Sequence, residues 1–196
     1  MPEEASAEIR RVCSNLAGAR KIEFDRCILP VEFIYNPQLI TFVDGSTQAM
    51  CAIIYIRWKI QEDVFQSFLV CAKTKVALKT AMTVPRTELV STQIGIRLAA
   101  TVEKSMSDLV LEDNIYLTDS SAVFDMLRAE SSSLSTFTGH RISEVRAATE
   151  EAHWMWVPTK HNTADLGTWT GAKPEDLEEV QHGYVSQKNL ADQSRL

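Results

Sequence analysis

The chain has 196 residues, an apolar fraction of 45%, a charged fraction of 23% and a formal net charge of −6. That length suits one domain, or one domain with an appendage, and is enough to bury a core. The charge balance excludes a nucleic-acid binder that works by bulk attraction alone, and no apolar run approaches the ~18 residues of a membrane helix. The N-terminus lacks the charged start and apolar middle of a secretion signal. Cys13, Cys27, Cys51 and Cys71 have no C-x-x-C spacing, which argues against a zinc site.

Residues 1–37 differ from the rest of the chain. A helical pattern over 3–16 sets Ile9, Val12 and Leu16 on one side. Pro30 and Pro37 punctuate an irregular stretch over 15–37. This segment reads as a connector or the tail of a preceding domain. The run 39–46, Leu-Ile-Thr-Phe-Val-Asp-Gly-Ser, is almost wholly apolar and stops on an acid. Such runs are central strands covered on both faces, and ligands gather at the ends of such strands. Gly45 allows something to approach the backbone closely. Strands are predicted over 50–58 and 65–73. The turn residues at 45–48 and the polar Gln61-Glu62-Asp63 make these three strands an antiparallel meander.

The longest helical pattern covers 85–107. Pro85 suits its first position, and Thr83 is a candidate cap. Leu89, Ile96, Ala99, Val102 and Met106 line its apolar face. Gly95 costs about 1 kcal/mol against Ala there, and close packing on the sheet would explain it. A short strand over 114–118 ends on Asp119, and a helix over 121–129 comes next. Leu134, Thr138, Ile142, Val145 and Ala148 suggest another helix. A tryptophan-rich strand over 152–157, a loop over 158–163 and a helical turn at 164–167 complete a domain over 38–170. A polar tail, 171–196, could carry a turn or two of helix at 174–180. The expected fold is α/β: a mixed five-stranded sheet, three strands in an antiparallel meander and two parallel, with helices on both faces.

Four acids recur at element ends. Asp44 and Asp119 end strands, Glu88 falls in the first turn of the long helix, and Asp165 opens the last helical turn. A right-handed crossover would make the first and fourth strands parallel neighbours, with Asp44 beside Asp119. Clustered carboxylates repel, and hard oxygen donors suit Mg²⁺ or Mn²⁺. Two such ions about 4 Å apart can clamp the attacking and leaving oxygens of a phosphodiester. Taken singly, each acid has an ordinary explanation. Asp119 could cap its helix, Glu88 could favour the helix dipole, and Asp165 could do either.

The order and context of these acids resemble the D-E-D-D set of ribonuclease H. More narrowly, the chain resembles the ribonuclease H region of BEL/Pao-type retrotransposon polyproteins. The resemblance rests on Phe42-Val43-Asp44-Gly45-Ser46, Ala72-Lys73-Thr74-Lys75-Val76-Ala77, Val84-Pro85-Arg86-Thr87-Glu88-Leu89, Tyr116-Leu117-Thr118-Asp119-Ser120 and the stretch from Trp156-Val157-Pro158 to Ala164-Asp165-Leu166. It implies a ribonuclease H-like fold and cleavage of the RNA strand of an RNA–DNA hybrid, leaving 5′-phosphate and 3′-hydroxyl ends. It implies two Mg²⁺ ions, replaceable by Mn²⁺, on Asp44, Glu88, Asp119 and Asp165. Gly45, Ser46 and Ser120 would lie against the substrate. Lys73, Lys75 and Lys79, with Arg86 nearby, could hold the hybrid backbone; Arg57 and Lys160 are the other basic residues near these motifs. A reverse transcriptase domain of the same polyprotein, and a cytoplasmic retroelement particle, are the implied partner and location.

Two departures stand out. Many ribonucleases H carry a histidine further ahead of the last acid, whereas His161 stands four residues before Asp165. It could assist product release or proton transfer, or be a solvated loop residue. Leu166-Gly167-Thr168-Trp169 also differs from the small-residue and arginine pattern expected there. A non-catalytic connector or scaffold on the same fold is the alternative reading. A strand-transferase on the related fold fits less well, because its glutamate comes late in the chain.

Overall fold

The apolar run over 39–43 lies in the centre strand of a five-stranded sheet. The structure, a computed structural model, describes residues 3–24, 27–77, 82–169 and 171–182. The strands are β1 (Gln38–Gly45), β2 (Ala49–Gln61), β3 (Val64–Val76), β4 (Glu112–Thr118) and β5 (Trp154–Trp156), in the order β3-β2-β1-β4-β5. The first three pair antiparallel, and β1 with β4 and β4 with β5 pair parallel. Leu39, Ile40, Phe42 and Val43 are buried on both faces of the sheet, which is why their sequence shows no alternation.

The helices are α1 (Glu3–Ala19), α2 (Val84–Ser105), α3 (Ser121–Arg128), α4 (Thr136–Ala148) and α5 (Asp176–His182). Two cores flank the sheet. On one face Leu39, Val43, Ala52 and Ile54 meet Leu89, Ile96, Ala99 and Val102 of α2, with Val123, Leu127, Ile142 and Val145 behind. On the other, Ile40, Phe42, Cys51, Ile53 and Tyr55 meet Val157, Ala164 and Val180. Cys51 is buried, and burial pushes its thiol up.

Helix α2 begins at Val84, so Pro85 is its second residue and Glu88 its fifth. Glu88 therefore stands beyond the first turn, not within it as expected. Thr83 precedes the helix without a side-chain cap; its carbonyl accepts from the N–H of Arg86 (2.9 Å) and of Thr87 (3.1 Å). The packing reason for Gly95 is direct. A Cβ there would lie 2.5 Å from Val43 Cγ1 and 3.2 Å from Thr41 Cγ2. Helix preference alone favours Gly95→Ala by about 1 kcal/mol, but overpacking typically costs about 1–3 kcal/mol. We expect a net loss, read as a lower urea midpoint with unchanged slope; a raised midpoint would contradict the close approach.

The flanks are partly tied down. Trp58 Nε1 donates to the Ile28 carbonyl (2.7 Å), Ile34 N–H donates to the Lys59 carbonyl (2.9 Å), and the Phe33 and Trp58 rings sit 4.6 Å apart. Ile9, Val12 and Leu16 of α1 remain exposed. Past residue 170, Val180 of α5 closes the second core, and the Tyr55 hydroxyl donates to its carbonyl (2.6 Å). One apolar residue of the polar tail thus finds a place on the sheet.

Candidate active site

Parallel pairing of β1 with β4 sets Thr41 against Tyr116 and Phe42 against Leu117. Continued two residues, that register brings Asp44 opposite Asp119 at one edge of the sheet. Glu88 reaches the same edge from α2. A Cβ on Gly45 would lie 2.4 Å from the backbone of Thr87 and of Glu88. The neighbour that Gly45 admits is therefore the helix backbone, and its close approach sets where Glu88 starts from. Asp165 arrives in a short 3-10 helix, Thr163–Gly167, on the opposite face. That turn sits close because Gly167 lacks a side chain: a Cβ would lie 2.2 Å from Cys51 Sγ.

Each acid is held by a neighbour. Thr168 Oγ donates to Asp44 Oδ2, and Ser91 Oγ donates to the Asp44 carbonyl (2.5 Å). Ser120 Oγ donates to Glu88 Oε2 (2.5 Å) while accepting from Val123 N–H as the cap of α3. Asn162 Nδ2 donates to Asp119 Oδ1 (2.9 Å) and to the Val43 carbonyl (3.1 Å), and its Oδ1 accepts from Ala164 N–H. The caps of these two turns are Ser120 and Asn162, so neither Asp119 nor Asp165 is spent on capping. Asn162→Ala would leave the buried Val43 carbonyl without this donor. We expect a loss of about 1–3 kcal/mol, read by urea denaturation; an unchanged midpoint would contradict it.

The electrostatics are those of crowded acids. Burial raises the Asp44 carboxyl above its ordinary 3.8, and repulsion from Asp119 and Asp165 adds to this against the Thr168 hydrogen bond. Glu88 is raised by burial, then by Asp119 and Asp44. Asp165 is raised by burial and Asp119. The folded chain therefore binds these protons more tightly than the unfolded chain. Ionising them costs folding stability, and the cost is absent below the ordinary carboxylate values and full above the raised ones.

The other expected residues divide. Ser46 Oγ accepts from Gln48 and Ala49 N–H (both 3.1 Å) and donates to the Thr168 carbonyl (3.2 Å), tying the β1–β2 turn to the last acid's turn. Lys73 and Lys75 are exposed on β3, the outer strand. Arg86 is exposed two residues before Glu88, its guanidinium 5.0 Å from the Phe137 ring, which Arg141 also covers at 3.6 Å. Lys79 lies outside the described residues. His161 ends a 3-10 turn, Thr159–His161, and burial with Lys160 beside it lowers its pKa below 6.5. Arg57 is not near the acids. It pairs with Gln38, at the far end of β1. Trp58 and Trp154 are core residues, whereas Trp156 is exposed and its indole N–H donates to the Asp119 carbonyl (3.1 Å). Asn162 lies within the stretch that carries the resemblance but is given no role there, and Thr168 and Ser91 are given none either; their roles depend on contacts between residues up to 124 apart.

The donor set fits a hard divalent cation: oxygen only, anionic and mutually repelling, so that a positive ion would relieve the crowding. Among the described residues no three acids, histidines or cysteines are placed together so as to hold a metal ion. Asp44, Glu88, Asp119 and Asp165 are each half-buried.

A mixed sheet in this order, with helices on both faces and acids gathered at one strand-end edge, defines a ribonuclease H-like domain. The chain belongs to the Pao retrotransposon-like RNaseH-like domain family, whose model matches residues 1–120. That match includes Asp44, Glu88 and Asp119 and stops before Asp165. No curated protein matches the chain. Among solved structures, it is similar to the N-terminal RNase H domain of a Mycobacterium tuberculosis protein. The identity there is 11% over 72% of this chain and 94% of that one, with a TM-score of 0.44. It is also similar to ribonuclease H1 of the halophilic archaeon Halobacterium salinarum, at 13% identity over 72% and 97%, with a TM-score of 0.39.

Proposed function

We propose that this domain cleaves the RNA strand of RNA–DNA hybrids by hydrolysis dependent on Mg²⁺ or Mn²⁺, in the reverse transcription of a retroelement. The observation that carries this reading is the β1–β4 register, which brings Asp44 and Asp119 to one edge that Glu88 and Asp165 also reach. Two ions held by Asp44, Glu88, Asp119 and Asp165 would supply an activated water and stabilise charge on the phosphate. Thr168 occupies one oxygen of Asp44 and Ser120 one oxygen of Glu88, so each carboxylate keeps the other for ligation. Lys73, Lys75 and Arg86 would contact backbone phosphates, which position a duplex without reading its sequence. Ser46, next after β1, would stand beside the sugar, where a 2′-hydroxyl can be tested, while Gly45 admits the helix that carries Glu88. His161, its pKa lowered by burial and by Lys160, would accept a proton during turnover. A reverse transcriptase domain of the same polyprotein is the proposed partner, and the cytoplasmic particle the proposed location.

The test is a labelled RNA–DNA hybrid incubated with the 196-residue chain. Cleavage of the RNA strand alone, leaving 5′-phosphates, is expected with Mg²⁺. No cleavage in either Mg²⁺ or Mn²⁺ would sink the proposal. A non-catalytic module on the same fold is favoured by one observation: among the described residues no three acids, histidines or cysteines are placed so as to hold a metal ion. It predicts no stabilisation by either ion.

A further inference from the structure

We propose that the recess at the end of the sheet opposite the four acids binds a phosphate group that carries an O–H, either inorganic phosphate or a phosphate monoester. The recess has a volume of about 410 Å³ and is lined by Tyr35, Gln38, Arg57, Lys59, Phe65 and Glu112 among others. Gln38 opens β1 and Asp44 stands six residues on, about 20 Å away at ~3.3 Å per residue. The two sites are therefore separate.

Arg57 is the reason to expect an anion. It is only 9% exposed, yet no carboxylate among the described residues lies within 4.0 Å of it. Its Nη2 donates to Gln38 Oε1 (2.8 Å), and Gln38 is oriented for this because its own Nε2 donates to the Asp113 carbonyl (2.7 Å). The Phe65 ring lies 4.4 Å from the guanidinium carbon. Nη1 is buried and has no acceptor among the described residues. A buried cation with an unmade hydrogen bond is costly, and structures satisfy such groups with water or a counter-ion. Burial alone pushes the Arg57 guanidinium down to about 10.

A second cation stands on the rim. Lys59 Nζ lies 5.1 Å from the Tyr35 ring centroid, and Tyr35 is placed there by the Ile34 N–H bond to the Lys59 carbonyl. Two cations and one carboxylate leave a net positive recess. Glu112 sets the selectivity: a carboxylate repels an anion unless that anion donates to it. Inorganic phosphate keeps an O–H throughout the neutral range, and a monoester keeps one through part of it, its second pKa being about 6. Sulfate and phosphodiesters have none. The site therefore rejects a nucleic-acid backbone.

The experiment follows the Arg57 side-chain N–H resonances of the full chain by ¹H–¹⁵N spectroscopy at constant ionic strength. It titrates inorganic phosphate, adenosine monophosphate, dimethyl phosphate, sulfate and chloride. A saturable shift with phosphate, and roughly tenfold weaker binding of sulfate and dimethyl phosphate, is expected. Tighter binding of the adenosine monoester would identify a nucleotide using the exposed Tyr35 ring; equal binding would identify phosphate itself. Lys59→Met should weaken phosphate about tenfold, and Glu112→Gln should remove the preference over sulfate. Both lie on the rim, so neither relies on an Arg57 variant that might misfold. No phosphate-dependent shift beyond the chloride control, or equal binding of sulfate, would overturn the proposal and leave the hydrolase reading untouched.

Discussion

Asp44→Asn is expected to abolish hybrid cleavage while leaving the fold intact and raising its stability at neutral pH. The activity loss follows from the position of Asp44, flanked by Asp119 across β1–β4 and repelled by Asp165. Metal-assisted charge stabilisation is worth several kcal/mol, and each ~1.4 kcal/mol is tenfold in rate. A loss of about 10³-fold or more is therefore predicted. The stability gain follows from the raised Asp44 carboxyl. Asparagine keeps an oxygen for the Thr168 hydroxyl and removes a buried charge that two acids repel. The gain should be present at pH 7 and vanish below about pH 3.8, where the unfolded carboxylate is itself protonated. Added Mg²⁺ or Mn²⁺ should reverse the ranking. At a hundredfold excess over Kd an ion adds about 2.7 kcal/mol to the wild type and little to the variant. Thermal melts at both pH values, with and without the ion, read all of this. A variant that cleaves at the wild-type rate, or one destabilised at pH 7, would contradict the role given to Asp44.

The second large effect is expected from Gly45→Ala, a change of one methyl group. Its Cβ would meet the Thr87 carbonyl carbon and the Glu88 nitrogen at 2.4 Å each, and the Glu88 Cα at 2.7 Å. These are backbone atoms of a helix locked onto the sheet by Leu89 and Ile96, so they cannot rotate away as a side-chain end would. Overpacking of this kind costs about 1–3 kcal/mol. The helix can relieve it only by moving the residue that carries Glu88. We expect a lower urea midpoint and a fall in hybrid cleavage of about a hundredfold, since misplacing a catalytic group by about 1 Å costs that much. Retained cleavage in a destabilised variant would separate the two effects and show that Glu88 need not stand where it does.

These two residues show what could be read from the chain and what could not. The strand ending on Asp44 was legible because burial on both faces leaves an unbroken apolar run. The apolar spacing of α2 and the packing reason for Gly95 were legible for a similar reason: periodicity is a local record of a surface that will be covered. The partners of the acids were not. Thr168 and Asp44 are 124 residues apart and Asn162 and Asp119 are 43 apart. A hydroxyl or amide gives no sign in sequence of the carboxylate it will meet. Pro85 suggests the first helical position and so puts Glu88 one residue too early, within the first turn, whereas Val84 already belongs to the helix. Gly45 reads as room for a ligand when a helix backbone fills that room. Arg57 looks in sequence like one more basic residue near the site. Only the register, which sets it against Gln38, moves it to the other end of the sheet.

The most direct measurement is a crystal of the chain soaked in Mn²⁺ and examined at a wavelength where the ion scatters anomalously. Ordered ions are expected at the β1–β4 edge, within ligating distance of Asp44 and Asp119 and shared with Glu88 or Asp165. Ions confined to other acids, with Asp44 and Asp119 unligated at saturating Mn²⁺, would contradict a metal-dependent site at that edge.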